Sequence, residues 1–193
     1  SQIPFVKMIY VLLKRARNYN IPLPLGLYAI VNLIVRSIHT VLSELGRQFW
    51  YTPRFKSQLK KPPKSLYLYS GIPFVNSALD IEMGEDCRIS GITTFTGRSC
   101  SDSKAKLVLG SNVGISWQTT ISVGTRVELK NNVRIAGRCF LAGYPGHPLN
   151  PEDRAQGKSD TDNQMGPIVL EENGWLGTGC TVRPNVTIGR NSV

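Results

Sequence analysis

Cysteine and histidine are both scarce in this 193-residue sequence. The four cysteines are Cys87, Cys100, Cys139 and Cys180, and the two histidines are His39 and His147. No two cysteines form a CxxC pair, and three of them stand at interior-looking positions that suit small core residues better than bridging partners. This pattern favours free thiols in a reduced, cytoplasmic compartment. With so few ligating residues, we expect no metal site.

Acidic residues are nearly absent from the first 64 positions. Glu44 is the single acid there, against eleven lysines and arginines, so this segment carries the whole net charge of +10. Residues 65–193 hold twelve bases and twelve acids. A cationic segment of this kind indicates an anionic partner such as a lipid surface or a phosphorylated ligand. A nucleic-acid partner is disfavoured, because no recognised nucleic-acid-binding motif accompanies these lysines and arginines.

Long uninterrupted apolar runs are also missing. Residues 25–50 are the most apolar region, but Asn32, Arg36 and Glu44 are among the residues that break it, which argues against a confident membrane span. Residues 4–18 and 25–50 instead have the three- and four-residue spacing of amphipathic helices. Residues 52–64, rich in proline and bases, are predicted to be a linker. We also find no secretory signal at the N-terminus.

Two interpretations of these helices remain open. Either their apolar stripe packs on the protein or on a neighbouring subunit, or it lies on an anionic membrane surface. On such a surface, the burial of apolar side chains and the electrostatic attraction of the basic side chains both favour binding. The sequence thus predicts a basic N-terminal helical region over residues 1–64. Its predicted location is cytoplasmic, with peripheral contact at the inner face of the cell membrane.

A six-residue period dominates the rest of the chain. Apolar residues recur every six positions in two series, with small residues in a companion phase. The series are Val123, Leu129, Ile135 and Leu141, and then Leu170, Leu176, Val182 and Ile188. Six residues match one flat side of a triangular coil, whose stacked turns bury a continuous apolar column. We therefore predict a mainly β fold for residues 65–193, a parallel β-helix with an inserted loop at about 144–167. An ordinary β-sandwich with chance periodicity is the alternative.

The hexads resemble those of hexapeptide-repeat acyltransferases. The similarity is densest in GPIVLEENGWLGTGCTVRPNVTIGRNS, and LKNNVRIAGRCFLAGYPGHPLNPEDR resembles the catalytic loop of galactoside, maltose and nodulation-factor acetyltransferases. The resemblance implies a left-handed β-helix, a homotrimer, acetyl-CoA as co-substrate and a role in polysaccharide biosynthesis. Lys130 and Glu171 depart from the family pattern, which often has glycine there. The chain also stops in mid-hexad at Val193, so we expect its C-terminal end to be truncated.

Acyl transfer to a sugar hydroxyl requires a base, and histidine suits that task because its unperturbed pKa is about 6.5. His147, between Gly146 and Pro148 in the predicted loop, is the candidate catalytic base. His39 lies among apolar neighbours in the N-terminal helices and is expected to be structural. Arg154 would either support the loop or bind the acceptor.

The resemblance also supplies candidates outside the loop. The backbone N–H of Thr178 would stabilise the oxyanion, and Gly177 and Gly179 would let a pantetheine arm approach the backbone. Trp175 would add a flat wall to the co-substrate or acceptor site. Ser116 and Gln118 are weaker candidates for acceptor binding.

The resemblance implies a CoA-dependent O-acetyltransferase acting on a sugar or a polysaccharide precursor, with these residues at its site. An N-acetyltransferase of an amino sugar and a non-catalytic β-helix scaffold are the alternatives. The γ-type carbonic anhydrases share the coil but bind zinc through three histidines, and this chain has two.

Overall fold

A computed structural model describes residues 4–22, 24–100 and 104–193. Contacts within the chain separate two compact units, Ser1–Leu42 and Ser43–Val193. The sequence placed the division after residue 64.

The first unit is helical, as predicted. Helix α1 spans Pro4–Arg17, and helix α2 begins at Leu25 and continues to Gly46. No described residue of either helix is buried. Three bases, Lys14, Arg15 and Arg17, lie in the last turn of α1, where they complement the partial negative charge of the helix C-terminus.

The helical run that begins with α2 continues as far as Lys56. Its most apolar window of 18 residues has a mean hydropathy of 1.6, and none of that window is buried. By length and composition this helix is able to cross a membrane. Because their apolar pattern is interrupted, residues 25–50 were expected to form a helix too polar for a confident membrane span.

Residues 52–64, predicted to be a linker, contribute to the core. A π-helical segment, Arg47–Tyr51, leads into helix α3 at Thr52–Lys56. Phe55 of α3 is fully buried, and its ring lies 6.5 Å from that of Phe95. The Lys60 amide donates to the carbonyl oxygen of Ile81 at 2.9 Å. The segment therefore covers the first coil and the edge of its sheet, because an open coil end would expose apolar side chains and unpaired backbone.

The rest of the second unit is the predicted parallel β-solenoid. Its described residues form three parallel sheets of five strands each. The first sheet, sheet B, contains β1 (Leu66–Tyr69), β4 (Cys87–Ser90), β7 (Gly114–Ile115), β10 (Arg134–Ile135) and β13 (Trp175–Leu176). The second, sheet C, contains β2 (Phe74–Val75), β5 (Thr94–Gly97), β8 (Thr120–Val123), β11 (Phe140–Ala142) and β14 (Thr181–Val182). The third, sheet A, contains β3 (Leu79–Met83), β6 (Ala105–Leu109), β9 (Arg126–Leu129), β12 (Ile168–Leu170) and β15 (Val186–Ile188). Each circuit of the chain adds one strand to every sheet.

The hexad positions form the core. In sheet B the inward column is Leu68, Ile89, Ile115, Ile135 and Leu176, all at most 5% exposed. Each side chain stacks on its equivalent in the next coil, and sheets A and C repeat the arrangement. The burial of the predicted series, complete except at the half-buried Ile188 of the last coil, confirms the period of six. The companion residues Val127, Val133 and Cys139 are buried beside it.

Asparagine forms one corner of the solenoid. Asn112, Asn132, Asn173 and Asn191 all have a positive φ between 56° and 63°. Their side-chain amides form a ladder, with each donating to the next at 2.8, 3.0 and 2.9 Å. Asparagine suits this corner because its short side chain tolerates the left-handed region and can bond to its equivalent above and below.

Lys130 and Glu171, the two departures from the glycine pattern, contact each other. The Lys130 ammonium lies 2.7 Å from a carboxylate oxygen of Glu171 on the next coil. The hydrogen bond with Glu171 raises the pKa of Lys130. Where the family often has glycine, this chain therefore has an ion pair that joins two neighbouring coils.

From the asparagine ladder we predict how substitution of Asn132 changes the free energy of unfolding. Replacement by alanine removes two ladder bonds and leaves a Cβ in the left-handed region, so we expect a loss of about 2 kcal/mol in the free energy of unfolding. Asn132→Gly keeps the backbone relaxed and should lose about 1 kcal/mol. Urea unfolding of both variants measures the difference. Equal stability of the alanine and glycine variants would contradict the backbone contribution.

Candidate functional site

The predicted loop leaves the solenoid after β11 and returns at β12. Its base is closed, because the Gly166 amide donates to the Gly143 carbonyl at 3.1 Å and Gly143 donates to Ser122 at 2.7 Å. The loop, residues 143–167, contains helix α4 (Pro151–Ala155) and a 3-10 turn at Asp162–Gln164. A loop of this length in a compact fold is typical of a functional segment.

A buried ion pair holds the loop against the coil. Arg98, which follows β5, is 4% exposed, and its Nε donates to Oδ1 of Asp160 at 2.6 Å. The guanidinium also binds the Asp160 carbonyl oxygen at 2.6 Å and the carboxylate of Asp162 at 2.7 Å. These hydrogen bonds, that with Asp160 above all, raise the pKa of Arg98. The sequence did not indicate this pair, since its members stand 62 positions apart.

The same carboxylate positions the backbone beside His147. Oδ2 of Asp160 accepts a hydrogen bond from the Gly146 amide at 3.0 Å. Gly146 has φ +80°, a conformation that favours glycine. On the other side of His147, Pro148 is buried and its carbonyl oxygen accepts from Arg154 at 2.9 Å. The main chain of His147 is therefore fixed on both sides, while its imidazole is exposed.

Arg154 supports the loop from within. Its Nη1 donates to the carbonyl oxygens of Pro148 and Leu149, at 2.9 and 3.1 Å. Asn150 caps α4 by accepting from the Asp153 amide at 2.9 Å. These contacts give Arg154 a positioning role, and acceptor binding by its remaining donors stays a prediction. The Asp153 carboxylate pairs with Lys158 at 2.7 Å.

The second set of candidates lies on the fifth coil. Trp175 is half exposed on β13, and Gly177, Thr178 and Gly179 form the corner that follows. Gly179 has φ +77°, so the corner itself favours glycine there. An added Cβ at Gly177 would meet no described atom within 4 Å. The Thr178 amide makes no hydrogen bond with the described residues, which leaves it able to donate to a ligand.

Ser116 and Trp175 line one cavity on the outer face of sheet B. This sheet B cavity has a volume of about 610 Å³. Gln118 lies at the adjoining corner with φ 56°, and its side-chain oxygen accepts from Arg138 at 3.2 Å. The structure thus brings Ser116 and Trp175 to one site and gives Gln118 a partner within the chain.

The two sets of candidates adjoin opposite ends of the strands of sheet C. Thr178 precedes β14, whereas the loop that carries His147 follows β11, the parallel neighbour of β14. In a parallel pair, the start of one strand and the end of the other lie at opposite ends of the strands. Among the described residues, no hydrogen bond joins His147 to Thr178.

Two of the four cysteines are disfavoured as nucleophiles, and the described residues form no metal cluster. Burial raises the pKa of the Cys87 and Cys139 thiols, which disfavours the nucleophilic thiolate at both positions. All four cysteines are free. Among the described residues, no three histidine, cysteine, aspartate or glutamate side chains form a group able to hold a metal ion.

Fold and loop together define a β-solenoid with hexad coils and one inserted histidine-bearing segment. The chain is 32% identical over 114 residues to galactoside O-acetyltransferase of Lactococcus lactis, covering 58% of this chain and 49% of that protein. It is 34% identical over 85 residues to galactoside O-acetyltransferase of Escherichia coli, covering 44% and 39%. A provisionally named acetyltransferase of Saccharomyces cerevisiae is 33% identical over 92 residues, covering 48% and 44%.

These similarities confirm the resemblance to hexapeptide-repeat acetyltransferases. The chain spans less than half the length of each of these curated relatives. No family model and no solved structure matches it.

The ion pair predicts the effect of Asp160→Asn on the loop. This change leaves the Arg98 guanidinium buried without its carboxylate, so we expect faster amide exchange across residues 143–167 by about tenfold or more. Asp153→Asn, which removes an exposed ion pair of the same loop, is the matched control and should leave exchange unchanged. Unaltered loop protection in Asp160→Asn would show that the pair does not hold the loop.

Proposed function

We propose that this protein is an O-acetyltransferase that moves an acetyl group from acetyl-CoA to a hydroxyl of a sugar or glycan precursor. One observation carries the proposal: the backbone of His147 is held on both sides while its imidazole remains exposed. A base acts efficiently only when it is positioned before its substrate arrives. The similarity to galactoside O-acetyltransferases supports this class of reaction and a sugar acceptor.

In the proposed reaction His147 is the general base. Its neutral imidazole accepts the proton of the acceptor hydroxyl as the oxygen attacks the thioester carbonyl. A carbon–oxygen bond forms, and a tetrahedral oxyanion results. When this intermediate collapses, the carbon–sulfur bond breaks and the imidazolium returns its proton to the thiolate of CoA. The products are the acetylated acceptor and free CoA.

The Thr178 amide is the proposed donor to the oxyanion. It belongs to the corner after β13 and has no hydrogen-bond partner among the described residues. A fixed N–H directed at developing charge stabilises the transition state without reorganisation. Trp175, Gly177 and Gly179 surround this amide in sequence, and we assign them to the binding of the pantetheine arm.

The proposed site uses a second copy of the chain. The loop that carries His147 and the corner that carries Thr178 adjoin opposite ends of the strands of sheet C, and in our proposal one subunit supplies the base and its neighbour the oxyanion donor. A closed ring places every copy in the same relation to the next. The homotrimer that the resemblance implies supplies such a neighbour.

Substitution of His147 tests the mechanism. His147→Gln should lower acetyl transfer at least about 100-fold, because general acid–base catalysis contributes on the order of 10² to 10⁴. Thiol release from acetyl-CoA measures the rate over a panel of galactosides, amino sugars and nucleotide sugars. The unfolding temperature should not change, since the imidazole makes no hydrogen bond with the described residues.

His39→Gln is the matched control, because His39 lies on α2 outside the solenoid. It should keep the full rate. Transfer that survives in His147→Gln would remove this base from the mechanism, and absence of acetyl transfer in the parent protein would favour the scaffold function. Acetylation of amino groups alone would favour the N-acetyltransferase.

For the N-terminal helices we propose peripheral contact with an anionic membrane surface, in the cytoplasm. Support comes from the absence of buried residues in α1 and α2 and from the basic end of α1. Apolar side chains such as Phe5, Leu12 and Leu13 are more than half exposed, which leaves an apolar area without cover in the described unit.

Vesicle co-sedimentation tests this contact. Each lysine or arginine at an anionic surface contributes about 1 kcal/mol, so a variant with both Lys14→Gln and Arg15→Gln should bind phosphatidylserine vesicles about 30-fold more weakly. The control carries Lys106→Gln and Arg126→Gln on the solenoid and should bind as the parent does. Equal binding to neutral and anionic vesicles, without salt dependence, would favour packing on protein instead.

A further inference from the structure

The outward row of sheet B alternates aromatic, cationic and small side chains. Five residues in register form this row: Tyr67, Arg88, Gly114, Arg134 and Trp175. All five line the sheet B cavity. Aromatic rings therefore close the cavity at its two ends, and two guanidinium groups lie between them.

Neither arginine has a carboxylate partner among the described residues. Arg134 donates to the backbone oxygen and, at 3.0 Å, to the side-chain oxygen of Asn112, both of which are neutral. Arg88 is exposed, and its guanidinium makes no hydrogen bond or ion pair with the part of the chain described, although its backbone amide donates to the Val113 carbonyl oxygen at 2.8 Å. The nearby Glu85 carboxylate accepts instead from the amides of Lys64 and Ser65, at 3.1 and 2.8 Å. The cavity thus carries two positive charges that the chain does not neutralise.

Gly114 separates the two arginines. Since adjacent strands lie about 4.8 Å apart, the backbones of Arg88 and Arg134 are about 9.6 Å apart. An added Cβ at Gly114 would lie 3.0 Å from Cδ of Arg134, so the arginine stem rests directly over the glycine. Ser116 and Ala136, the next outward positions, are also small and line the cavity. The Arg134 side chain thus occupies the space over Gly114, with its Nε 3.6 Å and its Nη1 3.9 Å from that Cβ position, and extends toward β4 and Arg88. Ser116 and Ala136 leave the cavity open beside the two guanidinium groups.

We propose that the sheet B cavity binds an acidic sugar, with a carboxylate or phosphate held by Arg88 and Arg134. Guanidinium groups match the planar geometry of both anions. The half-exposed Trp175 ring, at the end where the acceptor meets the thioester arm, offers a flat face to a sugar ring, whereas the Tyr67 ring stacks on Tyr69 and lies under the Arg47 guanidinium. This inference rests on the proposed function and narrows its acceptor to an anionic glycan. The acceptor then runs along sheet B, and its reacting hydroxyl lies at the Trp175 end, beside the Thr178 corner.

Phosphate groups of CoA are the competing source of negative charge. The proposed thioester arm reaches the corner after β13, whereas Arg88 lies on β4, three strand positions away along sheet B. At about 4.8 Å per strand, this separation is about 14 Å. An extended pantetheine arm spans a comparable distance, so this separation alone does not distinguish the acceptor from CoA, and CoA is the competing probe in the titration.

Equilibrium binding without acetyl-CoA tests the cavity separately from the reaction. Titration calorimetry of the full chain compares digalacturonic acid with its neutral methyl ester, and galactose 1-phosphate with galactose. We expect at least one anionic probe to bind about tenfold more tightly than its neutral counterpart. The two pairs distinguish a carboxylate from a phosphate.

Arg88→Gln should remove this preference without loss of stability, since the Arg88 guanidinium has no partner among the described residues. Arg126→Gln is the matched control, because Arg126 is an outward arginine on sheet A and pairs with Glu128. It should leave binding unchanged. The proposal is overturned if neither anionic probe binds, if neutral and anionic probes bind equally, or if Arg88→Gln weakens only CoA. Charge-dependent binding without any acetyl transfer would instead contradict the proposed function alone.

Discussion

Stacking of equivalent residues is the constraint on which the solenoid depends. Each strand pairs in register with its equivalent one coil away, so a side chain meets its own counterpart above and below. Inward columns of leucine, isoleucine and valine satisfy this constraint by packing, and the asparagine ladder satisfies it by hydrogen bonds. The same rule brings the charges of Lys130 and Glu171 together, and it aligns two arginines on the outer face of sheet B. Core, corners and proposed ligand cavity thus follow from one geometric repeat.

Much of this repeat could be predicted from the sequence, because a period of six is directly visible in the residue types. Leu129 and Ile135 were expected to point inward and are buried. The position of the loop was also predictable, since residues 144–167 interrupt the period. Residues 52–64 were misread because prolines and lysines obscure Phe55 and Leu59, the two apolar residues that enter the core.

The candidate site was less predictable. His147 could be found because histidine is rare and stands within a recognisable loop sequence. Arg98 and Asp160 could not, since no spacing links two residues 62 positions apart, and only the folded loop brings them into contact. The outward row of sheet B was equally hidden. Outward positions carry no periodic signal, so Arg88 and Arg134 look like ordinary surface charges until the register aligns them.

The closed base of the loop has a consequence for the architecture as a whole. Gly143 and Gly166 meet at the solenoid surface, and Ile168 pairs with Val127 as directly as strands do in uninterrupted coils. The strand pairing of the coil beneath therefore does not depend on what lies between the two glycines. Arg98 is the coil residue that does depend on the loop, because Asp160 and Asp162 both lie there, so the loop is free to change in length and chemistry wherever a carboxylate for Arg98 is kept.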